Sequence, residues 1–256
     1  MKKYTVITGA SSGIGYETAL AFASRGKNLV IVARRTEELE KLKLEIEKVY
    51  SELDVIIKTV DLSNTKNVYA LYEDLKEYEI ETWINNAGFG NFASVGEQNL
   101  TKIETMLNLN IEALTILTSL YVRDYSTVEG TQLINVSSGG GYTIIGNAIT
   151  YCASKFYVSA FTEGLAHELK GQGASMQAKV LAPAATETEF AKVSSDLEEN
   201  VKLEGILPKY HTAKEMAGFM LDLYDSEKVV GIVDGLTYEF QLKDPIYPYV
   251  ERMRNS

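Results

Sequence analysis

The stretch Thr8-Gly9-Ala10-Ser11-Ser12-Gly13-Ile14-Gly15 decides the fold class. It follows Tyr4–Thr8, a short β-branched run, and precedes a segment of helical spacing, so it reads as a turn from strand to helix. Its glycines allow unusual backbone angles and a close approach of backbone to ligand. A helix opening near Gly13 would aim unpaired N–H groups and its positive dipole end at an anion such as a pyrophosphate. A tight turn without a ligand is the plain alternative. Position in the first strand–helix unit favours a dinucleotide. The spacing Gly-x-x-x-Gly-x-Gly departs from Gly-x-Gly-x-x-Gly, and no Gly-Lys-Ser/Thr follows, which disfavours an NTPase.

Outward from this turn the chain alternates short β-branched runs with longer helical segments. The candidate strands are Tyr4–Thr8, Asn28–Ala33, Asp54–Val60, Thr82–Asn85, Thr131–Val136, Gln177–Leu181 and Val229–Val233. Between the second and third, Leu39, Leu42, Ile46 and Val49 fall on one helical face, and Thr36 with Glu37 and Glu38 is a plausible helix start. Such alternation implies an α/β, doubly wound, mostly parallel sheet of Rossmann type, with about seven strands and helices on both faces. Residues 1–256 are expected to form a single domain.

Ligands of open sheets bind beyond the carboxyl ends of the strands. Arg34-Arg35 follows the second strand, Asp61-Leu62 the third, Asn85-Asn86-Ala87-Gly88 the fourth, Ser137-Ser138 the fifth and Pro183 the sixth. Each alone is an ordinary polar loop, but all along one edge they read as a binding crevice. Arg34 and Arg35 stand where an acidic residue would otherwise hold an adenine ribose, and a guanidinium fork suits a 2′-phosphate. The arginines could also simply answer Glu37 and Glu38. In a chain of net charge −10 their placement favours NADP(H) over NAD(H).

Tyr151 and Lys155 share a helical face. A nearby ammonium, together with the positive charge of an oxidised nicotinamide, lowers the pKa of a phenol, which can then exchange a proton with a substrate oxygen. The spacing alone means little, because Tyr72–Lys76, Tyr210–Lys214 and Tyr224–Lys228 repeat it. Context selects Tyr151, which opens a long helix after the strand-end serines. Ser138 could orient a carbonyl beside it, although Ser137 is chemically as good a candidate. Asn110 interrupts the apolar helix from about Leu100 to Val122, where a functional group and a solvent-facing side chain are both open readings.

Taken together, these residues resemble the short-chain dehydrogenase/reductase family over nearly the whole chain. The glycine stretch is similar to the family's cofactor loop, including Ser11, Ser12 and Ile14. Asp61 and Leu62 resemble its adenine-contacting pair, and Asn86, Ala87 and Gly88 its motif after the fourth strand. The resemblance implies an NAD(P)-dependent oxidoreductase moving hydride between nicotinamide and a small carbonyl or alcohol. It makes Tyr151 the acid/base, Lys155 its partner and a ribose ligand, Ser138 rather than Ser137 the substrate-polarising group, and Asn110 the holder of a relay water. Substrate contacts are then Ser138 and Tyr151. Pro183, Thr186 and Thr188 fall in a segment similar to the family's nicotinamide-contacting Pro-Gly-x-x-x-Thr, with Ala184 in place of the glycine. A basic residue often found in the cofactor loop of NADP-preferring members is replaced by Ser12, which leaves Arg34 and Arg35 to select the phosphate.

A substrate lid is expected at about 187–211. Its span from Glu187 to Lys209 carries six acids against three lysines, a weak argument against multiply anionic substrates. Phe89, Phe92, Tyr142 and Phe190 suggest an apolar or aromatic substrate, though each could be core. His167 is expected to be structural or at a subunit contact, and no acid or serine near His167 or His211 completes a triad. By resemblance, the helices around 100–122 and 151–170 would form a homodimer or homotetramer.

The remaining expectations come from composition. A net charge of −10 disfavours nucleic-acid partners, and no apolar stretch is long enough for a membrane span or a secretory signal. A lone Cys152 and no Cys/His spacing for a metal fit a cytoplasmic setting. A non-catalytic dinucleotide-binding redox sensor is the alternative function, and would need no Tyr–Lys–Ser arrangement. A methyltransferase would not require Tyr151 and Lys155, and an epimerase would often carry a larger substrate domain after Pro183.

Overall fold

The computed structural model describes residues 2–194 and 210–251. Strands β1 (Lys3–Thr8), β2 (Asn28–Ala33), β3 (Val55–Thr59), β4 (Glu79–Asn85), β5 (Gln132–Val136), β6 (Gln177–Ala182), β9 (Val230–Val233) and β10 (Phe240–Lys243) form one sheet in the order β10-β9-β6-β5-β4-β1-β2-β3. All neighbours pair in parallel except β9 and β10. Strand order reverses between β1 and β4, where the connections leave in opposite directions and a crevice opens at the carboxyl edge. Two short strands, β7 (Thr186–Glu187) and β8 (His211–Thr212), make a separate parallel pair above that edge.

Helices cover both faces, which is why the strands read as nearly continuous apolar runs. Successive residues of β1 serve opposite sides. Ile7 packs with Leu39, Leu42 and Ile46 of α2 (Thr36–Val49), with Phe22 of α1 (Gly13–Ser24), and with Met216 and Met220 of α8 (Ala213–Asp225). Val6 joins Val30, Trp83 and Leu133 beneath α3 (Thr65–Asp74), α5 (Leu114–Tyr125) and α6 (Ile149–Gly171).

Several local readings shift. Val49 lies at the solvent-facing end of α2. The N-cap position of that helix belongs to Arg35, while the Thr36 hydroxyl meets the Thr59 hydroxyl at 2.9 Å. The helix expected from Leu100 to Val122 is α4 (Leu100–Leu107) and α5 joined through a π-helical turn, Asn108–Ala113. The sheet gains an eighth strand, β10, whose four residues Phe-Gln-Leu-Lys are too short and half-exposed to signal a strand by pattern. Most of the expected lid, residues 195–209, lies outside the described residues. Its first part forms α7 (Glu189–Ser194), which docks on the segment after β4, where Phe92 N donates to Ser194 O at 2.8 Å and Gly90 N to Ser194 Oγ at 3.2 Å.

Candidate active site

The turn after β1 is built to keep side chains out. Gly13 has φ +56°, and a Cβ there would stand 2.9 Å from Thr188 Cγ2. At Gly15 a Cβ would overlap both Asn86 Nδ2 and the Gly9 carbonyl, so only glycine lets helix α1 start this close to the β4 edge. The two strand ends are tied together. Thr8 Oγ1 accepts from Asn86 N and Ala87 N, each at 3.0 Å, and Asn86 Nδ2 donates to Thr8 O at 2.9 Å. The result is an open cradle at the N-terminus of α1.

A cleft of about 990 Å³ runs from this cradle along the sheet edge. All the residues expected to hold the cofactor line it except Gly15, which packs against Asn86 and the Gly9 carbonyl; Thr188 lies against Gly13. The two arginines divide. Arg35 reaches back to Ser11 Oγ at 3.2 Å and pairs with Glu189 at 2.9 Å, linking α7 to the glycine turn. Arg34 is exposed beside Asp61 at the cleft edge. Burial acts to raise the Asp61 carboxyl, but hydrogen bonds from Ser63 and then the charge of Arg34 outweigh it and hold Asp61 below its ordinary range.

The π turn explains Asn110. Widening the helix by one residue turns this side chain inward, where it is 1% exposed, and such turns recur at functional sites. Its Nδ2 donates to Phe89 O at 2.9 Å and Ser154 Oγ at 3.2 Å, and its Oδ1 accepts from Phe89 N at 3.2 Å. Ser154 Oγ in turn donates to Tyr151 O at 2.7 Å. The solvent-facing reading of Asn110 is therefore incorrect. Asn110 Oδ1 and Lys155 Nζ both approach Gly88, 3.0 and 3.5 Å from where its Cβ would stand.

The serines separate equally clearly. Ser137 is buried, donating to Lys155 O at 2.9 Å and meeting Ser159 Oγ at 2.7 Å, so it anchors α6 to the end of β5. Ser138 heads the turn Gly139–Gly141, accepts from Gly140 N at 3.1 Å, and borders the cleft beside Tyr151.

Lys155 lies under Tyr151, its Nζ 5.9 Å from the ring centre and 3.0 Å from Val136 O, to which it donates. The sequence leads one to expect a depressed phenol. Among the chain's own groups, burial dominates. Burial pushes Tyr151 up to about 12, with a hydrogen bond from Ser138 working to lower it. Burial also brings Lys155 down to about 8, which still leaves it mostly charged at pH 7. Such a phenol keeps its proton at pH 7 and is suited to donating it.

Phe92 and Phe190 flank the Tyr151 ring at 6.1 and 5.6 Å, and with Phe89 and Tyr142 they line the same end of the cleft, as the sequence suggests. Contributions from Ile145 and from Tyr238 and Lys243 beyond β9 are not readable from the sequence, since no motif marks them. His167 stacks on Tyr249 at 4.4 Å, and His211 packs against Phe219 and Tyr238, away from the Tyr151 hydroxyl chemistry. Among the described residues, no helix is long and apolar enough to cross a membrane.

Comparison with known proteins agrees with this geometry. The short chain dehydrogenase family model matches residues 3–199. An uncharacterized oxidoreductase of Staphylococcus saprophyticus is 32% identical over 76% of this chain and 78% of its own. A short-chain dehydrogenase from Sphingobium yanoikuyae, solved in complex with NADPH, superposes with TM-score 0.81 at 29% identity, covering 90% of this chain and 87% of its own. The bulky-bulky ketone specific alcohol dehydrogenase from Comamonas testosteroni gives TM-score 0.77 at 27% identity, over 90% and 85% of the two chains. With its parallel sheet, its glycine cradle and this match over most of its length, the chain belongs to the short-chain dehydrogenase/reductase family and is a nicotinamide-dependent oxidoreductase.

Proposed function

We propose that the chain reduces an apolar or aryl-bearing ketone or aldehyde, with NADPH preferred over NADH. The observation that carries this reading is the convergence, in one cleft, of the glycine cradle, the exposed Arg34 and the Ser138–Tyr151–Lys155 group. The cradle that a Cβ would fill fits a pyrophosphate, and Arg34 at its far corner fits a 2′-phosphate. Bound nicotinamide would supply the hydride. The chain's own residues do the rest. Ser138 donates to the carbonyl oxygen and orients it, and Tyr151 passes its phenolic proton to that oxygen as negative charge develops. Lys155 stabilises the phenolate left behind, and Asn110 holds the Gly88–Phe89 backbone that shapes the site. Phe92, Phe190 and Tyr142 exclude water and favour apolar substituents on the carbonyl.

The reading extends to one domain spanning the chain, with a lid over the site at about 187–211, and to pairing of copies through the helices near 100–122 and 151–170. The stacked pair Tyr157–Phe161 on α6 supports the pairing, with Tyr157 exposed.

Titration of the purified protein with NADPH and NADH tests the cofactor assignment. Arg34→Ala is expected to weaken NADPH by about 10–100-fold, the range of a lost charge-assisted phosphate contact, and to leave NADH nearly unchanged. Equal loss for both would remove Arg34 from phosphate selection, and tighter NADH binding by the wild type would reverse the preference.

A further inference from the structure

Glu163 is a carboxylate on α6 that the chemistry above does not use. It is 1% exposed, three turns beyond Tyr151 on the same helix, and both of its oxygens are engaged. Oε1 accepts from the Tyr142 hydroxyl at 2.6 Å. Oε2 accepts from the backbone of Ile246 at 2.5 Å and of Tyr247 at 2.8 Å. The sequence around those amides is Pro245-Ile246-Tyr247-Pro248. Proline has no N–H, so the segment between the two prolines offers two amide donors, and Glu163 takes both.

Contacts back to the substrate loop complete a closed circuit. Tyr247 stacks on Tyr142 with centroids 5.4 Å apart and an interplanar angle of 13°, and its hydroxyl donates to Gly141 O at 2.6 Å. Gly141 ends the short turn that Ser138 begins, and Tyr142 lines the cleft. Around the ends, Lys228 pairs with Asp244 at 2.8 Å, and His167, one turn beyond Glu163 on α6, stacks on Tyr249. A buried carboxylate is costly unless fully hydrogen-bonded, and here each bond links either the substrate loop or the strap after β10 to the catalytic helix.

We propose that Glu163 is a positioning residue that clamps the strap Asp244–Glu251 to the loop Gly139–Ile145, and that through Tyr142 this clamp sets which carbonyl substituents the cleft admits. The strap backs Tyr142, which lines the pocket, and α6 holds the strap in place. The inference rests on the carbonyl-reductase reading for its substrate, while the clamp itself stands on the hydrogen bonds.

Two measurements on the full chain test it. In amide hydrogen exchange, Glu163→Gln is expected to speed exchange in both 139–145 and 246–247, because the amide cannot serve all three donors as an anion does. In steady-state kinetics with NADPH, the same variant is expected to raise KM for a phenyl ketone about tenfold, with KM for acetone and the NADPH Kd changing less than about twofold. Tyr247→Phe keeps the ring and loses only the Gly141 bond, so it serves if Glu163→Gln does not fold, with the same pattern at smaller amplitude. Tyr142→Phe combined with Tyr247→Phe should be non-additive in KM, since both act through one clamp. Unchanged exchange in the two segments would overturn the clamp. Faster exchange with the phenyl ketone and acetone affected alike would reduce Glu163 to a structural role and refute the specificity claim. If the wild type turns over neither ketone, the carbonyl reading and the specificity claim fail together, and the exchange result still decides the clamp.

Discussion

Tyr72 and Tyr151 each stand four residues ahead of a lysine on a helix, yet their surroundings assign them different work. On α3, the Tyr72 hydroxyl donates to Leu120 O at 3.0 Å and Asp124 Oδ2 at 2.8 Å, and its ring packs on Trp83 in the core. Burial first, and then the bond to Asp124, push that phenol far up, while Lys76 turns outward to Glu73 at 2.7 Å. On α6, Tyr151 borders a cleft, burial raises its phenol as well but Ser138 works to lower it, and Lys155 is folded inward beneath the ring. The same spacing yields a structural strut in one place and a candidate proton donor in the other. What differs is the set of groups that the β5 and β4 edges bring to the hydroxyl.

This contrast can be broken by substitution, and the largest effect should come from the phenol itself. Tyr151→Phe is expected to cut ketone reduction by about 10²–10⁴-fold, the usual range for losing a general acid, with NADPH binding retained in a fluorescence titration. Turnover near the wild-type rate would put Tyr151 on a level with Tyr72. Next in size is Lys155→Met, expected to lower kcat by about 10²–10³-fold through loss of charge stabilisation and to weaken the cofactor as well. Asn110→Ala should cost about 10–100-fold in kcat through displacement of the Gly88–Phe89 backbone, and a variant as active as the wild type would leave the π turn without a role in positioning. Tyr72→Phe is the smallest change. It should lower stability in denaturant unfolding by about 1–2 kcal/mol, the cost of a buried hydrogen bond with its acceptors left unpaired, without altering kcat.

How much was legible beforehand follows the range of the interactions involved. The cradle at Gly9–Gly15 and the succession of strand ends could be read because backbone angle and apolar run length are local properties. Cleft walls behaved differently. Asn110 read ambiguously because its inward direction depends on a π turn that no pattern of three and four residues encodes. Ser137 and Ser138 are chemically equivalent, the family resemblance singles out Ser138, and the packing of Ser159 and the Lys155 carbonyl against Ser137 supplies the physical reason. Burial of Tyr151 and Lys155, which acts against the charged form of each, is likewise outside what a four-residue spacing can carry. Most distant of all, Glu163 meets Ile246 and Tyr247 across 83 and 84 residues.

The central claim is that hydride passes from NADPH to a carbonyl carbon in this cleft. Its most direct test is to incubate the wild-type protein with a phenyl ketone and NADPH carrying deuterium at both C4 positions of the nicotinamide, and to examine the alcohol by mass spectrometry and NMR. One deuterium is expected on the carbinol carbon, formed by the wild type and hardly at all by Tyr151→Phe. NADPH consumption that leaves the ketone unchanged, or an alcohol without deuterium at that carbon, would contradict it.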